Sequence, residues 1–298
     1  MFHYFHDGLK HKPSQGSISK TQFENILKKV GAEKILPAKE WAHKAEKGLL
    51  ERDDICLTFD DGLRCQYDVA LPVLRKYKLT AFWFVNSSTL VDEIGVLEVY
   101  RRFRNEFFPS INAFYDNFFS TALKSPYGRA VYKGLSTFPT DYLSEFTFYT
   151  EGDRKFRYLR DKVLKPKEYE EIMNILIQSK GVTIDELAKG LWLDKDQLCE
   201  LKDEEHIIGI HSHSHPTEMA NLPYEEQQVE YKKNFEILSN ILQEKPFTMA
   251  HPCNSYSANT LKILHDIGIR LGFRSNMLKT NYVLLELPRQ DSTLLITE

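Results

Sequence analysis

The run Ile55-Cys56-Leu57-Thr58-Phe59 stops abruptly at Asp60-Asp61-Gly62. Its apolar and β-branched content over about five residues reads as a buried strand. Two adjacent carboxylates therefore emerge at a strand's C-terminal end, where barrel enzymes place their chemistry. The following segments extend the pattern. Gln66 to Tyr77 carries Val69, Leu71, Val73 and Leu74 on a helical stripe, with Pro72 near the first turn, where it is tolerated. Thr80-Ala81-Phe82-Trp83-Phe84-Val85 then reads as a second buried strand. Strand, helix and strand on short links imply a parallel sheet covered by helices, so the fold class is α/β and barrel-like.

Residues 20–30, with Phe23, Ile26, Leu27 and Val30, form an amphipathic helix ahead of this unit. From about residue 90 to 202 the strand rhythm stops. Tyr100, Phe103, Phe107, Phe108, Phe114, Phe118 and Phe119 recur at roughly helical intervals, and short helices with acidic first turns follow near Asp185 and Asp194. This stretch reads as a large helical insertion within a single domain spanning 1–298, its aromatics forming its own core. The rhythm resumes with a strand at Ile207-Ile208-Gly209-Ile210 and a helix from about Tyr224 to Leu242. A strand at Phe247–Ala250, a helix around Asn259–Ile267 and a strand near Leu271-Gly272-Phe273 complete it.

Thirty-nine basic against 42 acidic side chains give a net charge of −3, so no basic excess points to a nucleic-acid partner. No stretch approaches the length of apolar sequence that a membrane span requires. The start, Met1-Phe2-His3-Tyr4-Phe5-His6-Asp7-Gly8, lacks the basic and apolar regions of a secretory leader. Cys56, Cys65, Cys199 and Cys253 form no CxxC pair, which fits reduced thiols. Together these features lead to the expectation of a cytoplasmic protein.

Two clusters carry the chemistry. In Asp60-Asp61 one carboxylate can bind a metal while its neighbour acts as a base, although Asp-Asp-Gly is also ordinary turn chemistry. The second cluster, His211-Ser212-His213-Ser214-His215, follows the strand at Ile207–Ile210. His211 and His215 share a face if the segment turns helically, whereas His211 and His213 share one if it is extended, so spacing leaves the ligand pair open. Carboxylates and imidazoles together suit Zn²⁺ and related divalent ions.

Thr58-Phe59-Asp60-Asp61-Gly62 and His211-Ser212-xx-His215 resemble the TFDDG and HSxxH motifs of the NodB-homology polysaccharide deacetylases, carbohydrate esterase family 4. The opening Met1-Phe2-His3-Tyr4 is similar to the strand that starts many members. The resemblance implies a distorted (β/α) barrel and a divalent metal held by Asp61, His211 and His215, Zn²⁺ first, with Co²⁺, Ni²⁺ and Mn²⁺ as alternatives. Asp60 becomes the base and His213 stays out of the ligand set. Met249-Ala250-His251-Pro252-Cys253-Asn254-Ser255-Tyr256 resembles the third motif, but Ala250 replaces its arginine and Cys253 its aromatic residue. The resemblance makes Cys253 a donor of its backbone N–H to an oxyanion. Leu287-Pro288-Arg289 is similar to a segment of members that lack the earlier arginine, which makes Arg289 the partner of Asp60. The usual Leu-x-His acid has no counterpart, so His251 and His3 become the candidate acids, His265 reading as a packing or surface residue.

The implied reaction is hydrolysis of the N-acyl amide of an amino sugar in a saccharide or sugar precursor. A same-fold hydrolase of a cyclic ureide or imide, and a metal- and glycan-binding protein without turnover, are the alternatives.

Overall fold

A computed structural model describes residues 1–144, 149–278 and 283–295. The described chain falls into two compact units, residues 1–95 with 190–298, and residues 96–189. The first holds two sheets. A small parallel pair joins β1 (Phe5–His6) to β2 (Ile18–Ser19). The main sheet contains β3 (Thr58–Phe59), β4 (Phe82–Val85), β5 (Ile207–Ile210), β6 (Thr248–Ala250) and β7 (Leu271–Phe273), in that spatial order and parallel throughout. Parallel bridges Phe2↔Phe59 and Phe273↔Leu287 add a segment at each edge. Those two segments then meet: the Met1 amino group donates to the Gln290 carbonyl at 2.6 Å, and the Ser292 N–H donates to Met1 O at 3.1 Å. The result is a half-barrel drawn together at its open side, in line with the α/β barrel expected from the sequence.

Alternation of side chains along each strand divides the sheet into two faces. Phe82, Phe84, Ile207, Ala250, Leu271 and Phe273 pack on one face against Ala38, Trp41, Ala42 and Ala45 of helix α2 (Ala38–Lys47), which follows α1 (Lys20–Val30). Gly209 is needed here, because a Cβ would lie 2.5 Å from Thr248 Oγ1 and 2.7 Å from the Phe84 ring. Phe59, Trp83, Val85, Ile208, Ile210 and Met249 belong to the other face, with the rings of Phe59 and Trp83 stacked 4.5 Å apart. Against that face lie buried residues of α1, α3 (Leu71–Tyr77), a helix over Lys195–Asp203, and the helices Tyr224–Leu242 and Ala258–Asp266.

Several elements differ in extent from the sequence reading. Ile55–Phe59 is a strand only at Thr58–Phe59, Ile55 instead bridging Ile35. The helix expected over Gln66–Tyr77 opens with a π-helical turn, Gln66–Ala70. The second unit contains α4 (Val96–Glu106), α5 (Ile111–Lys124), α6 (Gly128–Ser136), α7 (Glu151–Tyr158), α8 (Pro166–Ser179) and α9 (Ile184–Ala188). Its centre is aromatic: Phe103, Phe114, Phe118 and Phe156 are buried, and the Phe118 and Phe156 rings sit 4.8 Å apart. The helix Lys195–Asp203, here α10, falls in the first unit rather than with the insertion, because Leu198 and Leu201 join the same core as Ile208 and Leu242. Tyr224–Leu242 and Ala258–Asp266 are then α11 and α12.

His206 just before β5 is buried, and its Nδ1 accepts the Ala81 N–H at 2.9 Å. Burial pushes its pKa from 6.5 down to about 4. The unfolded chain therefore binds more protons than the fold between those values, and stability falls as pH drops through that window. Urea unfolding from pH 7 to pH 4 should show a loss approaching about 3 kcal/mol from this group, and His206→Asn should flatten that slope. Equal slopes in the two proteins would remove His206 as the cause.

Candidate metal and catalytic site

β3 ends in a turn in which Asp61 and Gly62 both take left-handed backbone, with φ of 74° and 59°. The turn sends the two aspartates in different directions. Asp60 points to Arg289, which donates Nη1 to Oδ1 at 2.6 Å and Nη2 to Oδ2 at 2.8 Å. Arg289 also donates to Thr58 Oγ1 at 3.2 Å and, through Nε, to the Arg274 carbonyl at 2.7 Å. Both members of the pair are at least 95% buried. Burial alone would raise the Asp60 carboxyl. The adjacent Arg289 charge, helped by His211 and His3, outweighs that and holds its pKa at about 2. Asp60 is thus ionised throughout the neutral range, with His3 Nε2 3.7 Å from Oδ2.

Asp61 faces the histidines. His211 Nε2 lies 3.5 Å and His215 Nε2 3.4 Å from the same carboxylate oxygen, Oδ1. The loop is neither helix nor strand: Ser212 and His215 are left-handed, with φ of 63° and 58°, so a tight turn brings His211 and His215 to the same carboxylate. The Asn234 carboxamide from α11 accepts the His211 N–H at 2.8 Å and donates to Val85 O at 3.0 Å, tying the loop to β4. Sequence reading passed over Asn234. Its signal was a polar residue inside the buried stripe Tyr231, Leu238 and Leu242. Gln66 was missed too; its Nε2 donates to His3 O at 2.8 Å and to Asp60 O at 2.6 Å.

The donor set fits a divalent cation. His211 Nδ1 donates to the Ala250 carbonyl at 2.8 Å, so a neutral ring turns its Nε2 lone pair towards Asp61. Ligand atoms of Asp61, His211 and His215 lie within 4.8 Å of one another. Tetrahedral Zn²⁺ with bonds of about 2.0–2.1 Å requires ligand separations of about 3.4 Å, close to the two spacings found. Convergent lone pairs around a buried carboxylate call for positive charge between them. The same demand shows in the titration of the residues. Burial would raise Asp61, yet the His211 hydrogen bond and the neighbouring imidazoles bring it well below the carboxylate range. Burial opposes a proton on His211, but the Asp61 hydrogen bond and the Asp60 charge raise its pKa.

His251 is placed against the role of general acid assigned to it from the sequence. Burial lowers its pKa to about 3, its Nε2 donates to Leu285 O at 2.8 Å, and its ring stacks on Tyr256 at 4.1 Å. The correction is physical: this imidazole is neutral and its N–H is already committed to a carbonyl. Cys253 sits in the exposed turn Pro252–Asn254 with φ of 50°, three residues beyond the carbonyl that orients His211. His265 lies on the surface in α12, beside Asp266. No helix among the described residues is long and apolar enough to cross a membrane.

The family model described as polysaccharide deacetylase matches residues 47–106 and 145–272, more than half of the chain, and the protein belongs to that family. The family generally uses a divalent metal. A poly-beta-1,6-N-acetyl-D-glucosamine N-deacetylase of Staphylococcus aureus is 33% identical over 79 residues, which span 26% of this chain and 27% of that relative's length. Among solved structures, the deacetylase PplD of Streptococcus pyogenes in complex with acetate superposes with a TM-score of 0.56 at 17% identity, covering 97% of this chain and 88% of that one. A de-N-acetylase from Aggregatibacter actinomycetemcomitans gives 0.56 at 15% identity, with 97% and 92% covered. At these identities the structures bear on the fold alone.

Removing Arg289 leaves Asp60 as a buried, uncompensated charge. Arg289→Met should destabilise the protein by about 3–5 kcal/mol, and adding Asp60→Asn should recover part of the loss. Denaturant midpoints of the two variants provide the check; a single variant as stable as wild type would contradict the pairing.

Proposed function

We propose that this protein hydrolyses the N-acetyl amide of an amino sugar in a saccharide, using a divalent cation, Zn²⁺ foremost, held by Asp61, His211 and His215. The carrying observation is the division of labour between neighbouring carboxylates. Asp61 faces two imidazoles, whereas Asp60 is locked to Arg289 and kept ionised. A cation at the three ligands would supply a lowered water pKa and polarisation of the acyl oxygen.

The chain's own residues supply the rest. Asp60 accepts the proton of the attacking water, and Arg289 fixes the orientation of the accepting oxygens. The Cys253 backbone N–H is assigned to the oxyanion. His3 carries the proton to the departing amine: it stands 3.7 Å from Asp60 Oδ2 with its side chain 29% exposed, so it meets both the base and incoming substrate. His251, neutral and tied to Leu285, keeps Tyr256 and the third-motif turn in place.

The family and the Staphylococcus aureus relative, named for a polymer of N-acetylglucosamine, support a saccharide of that sugar as substrate. Nucleotide-linked or lipid-linked precursors remain the choice that a cytoplasmic location would favour, and the assay separates the two.

The test is acetate release from β-1,6- and β-1,4-linked N-acetylglucosamine oligomers and from a nucleotide-linked N-acetyl sugar, with Zn²⁺ or Co²⁺ added or chelated. Asp60→Asn and His3→Gln should each lower kcat by about 10²–10⁴, and His211→Ala should abolish metal-stimulated release. Full activity in a chelated, metal-free sample would sink the metal reading. Unchanged kcat in His3→Gln would remove His3 as the acid.

A further inference from the structure

We propose that His213, the middle histidine of the cluster, is a positioning residue that holds the loop between His211 and His215 in the shape able to close on a cation. The inference rests on the metal reading above. His213 is 4% exposed and bonded through both ring nitrogens. Nδ1 lies 2.9 Å from the hydroxyl of buried Ser87, and Nε2 lies 2.9 Å from Glu93 Oε2. A carboxylate only accepts, so Nε2 donates to Glu93, while Nδ1 is partnered by the Ser87 hydroxyl. The His213 carbonyl also accepts the Ser88 N–H at 2.9 Å. Three bonds thus fasten this residue to the segment that follows β4.

The loop needs such fastening. Ser212 and His215 flank His213 in left-handed backbone without being glycine, a conformation that persists only where the surroundings over-determine it. Other braces are weaker or act elsewhere. Ser214 binds Glu230 through N and Oγ, but at the exposed surface. Ser212 Oγ accepts the His215 N–H at 3.2 Å within the loop itself. Helix α11 completes the frame with two adjacent residues: Lys233 donates to Glu93 Oε1 at 2.8 Å, and Asn234 holds the His211 N–H. Ser87, His213 and Glu93 superficially form a hydrolytic triad. Ser87 is fully buried, however, so its hydroxyl reaches no substrate and the array acts as a brace.

The experiment measures Co²⁺ and Zn²⁺ affinity by chelator competition, with the Co²⁺ absorption spectrum, for wild type, His213→Leu, Glu93→Ala and Glu93→Gln, beside the melting temperature of each metal-free protein. His213→Leu and Glu93→Ala should weaken binding by about 10–100-fold and alter the Co²⁺ bands, with Glu93→Gln, which keeps an acceptor, within about threefold of wild type. Half-exposed Glu93 is the variant least able to disturb folding, and its metal-free melting temperature should match wild type. Wild-type affinity in both His213→Leu and Glu93→Ala overturns the positioning role while the metal reading stands. Affinity lost only in step with a collapsed metal-free melting transition in Glu93→Ala also overturns it. Absence of cation binding by wild type overturns both.

Discussion

The buried pair of Arg289 and Asp60 joins parts of the chain 229 residues apart, and the arrangement of the site depends on it. Neither charge is tolerable alone in that place. Each needs the other because removal from water is costly, and the fork of the guanidinium matches both carboxylate oxygens at once. Arg289 also spends its Nε on the Arg274 carbonyl beyond β7. The pair therefore fixes the edge of the half-barrel where the segments around Met1 and Leu287 meet. A carboxylate at the end of a strand becomes a rigid, ionised acceptor only because the far edge of the sheet returns to meet it.

The same low-polarity surroundings sort the histidines. Among the described residues His206 and His251 hydrogen-bond to backbone groups, and burial drives both towards the neutral ring. His211 has a backbone partner on one nitrogen and a carboxylate beyond the other, which reverses the outcome. His213 is held by a hydroxyl and a carboxylate in a loop whose backbone would otherwise relax. Ring chemistry is identical in all of these; the hydrogen-bonding partner decides whether an imidazole is driven neutral, drawn towards its protonated form or fastened into a loop.

The split into two units has a related logic. Five short parallel strands supply a sheet with two apolar faces and C-terminal ends that carry Asp60, Asp61 and the histidine loop. Residues 96–189 build a separate aromatic core. The family match reaches 106 and resumes at 145, so residues 107–144 are an internal stretch that it does not cover.

How much was legible in the sequence follows from the range of each interaction. Periodicity is local, so the strands at Ile207 and Leu271, the helix Tyr224–Leu242 and the helix Lys20–Val30 were readable to within a residue or two. The strand expected over Ile55–Phe59 shortened because its first residues pair elsewhere, with Ile35. The polar clusters after two of the strands were equally visible, since adjacent carboxylates and clustered imidazoles are a local composition. Which histidines share a carboxylate could not be read from spacing, because a left-handed turn at Ser212 is neither helix nor strand. The neutrality of His251, the roles of Gln66 and Asn234 and the brace on His213 were likewise beyond reach, since each depends on a partner dozens to more than a hundred residues away. The sequence by itself determined the elements and the chemical groups at their ends. Tertiary structure alone decided which group meets which, because pairing and desolvation are properties of places brought together by folding.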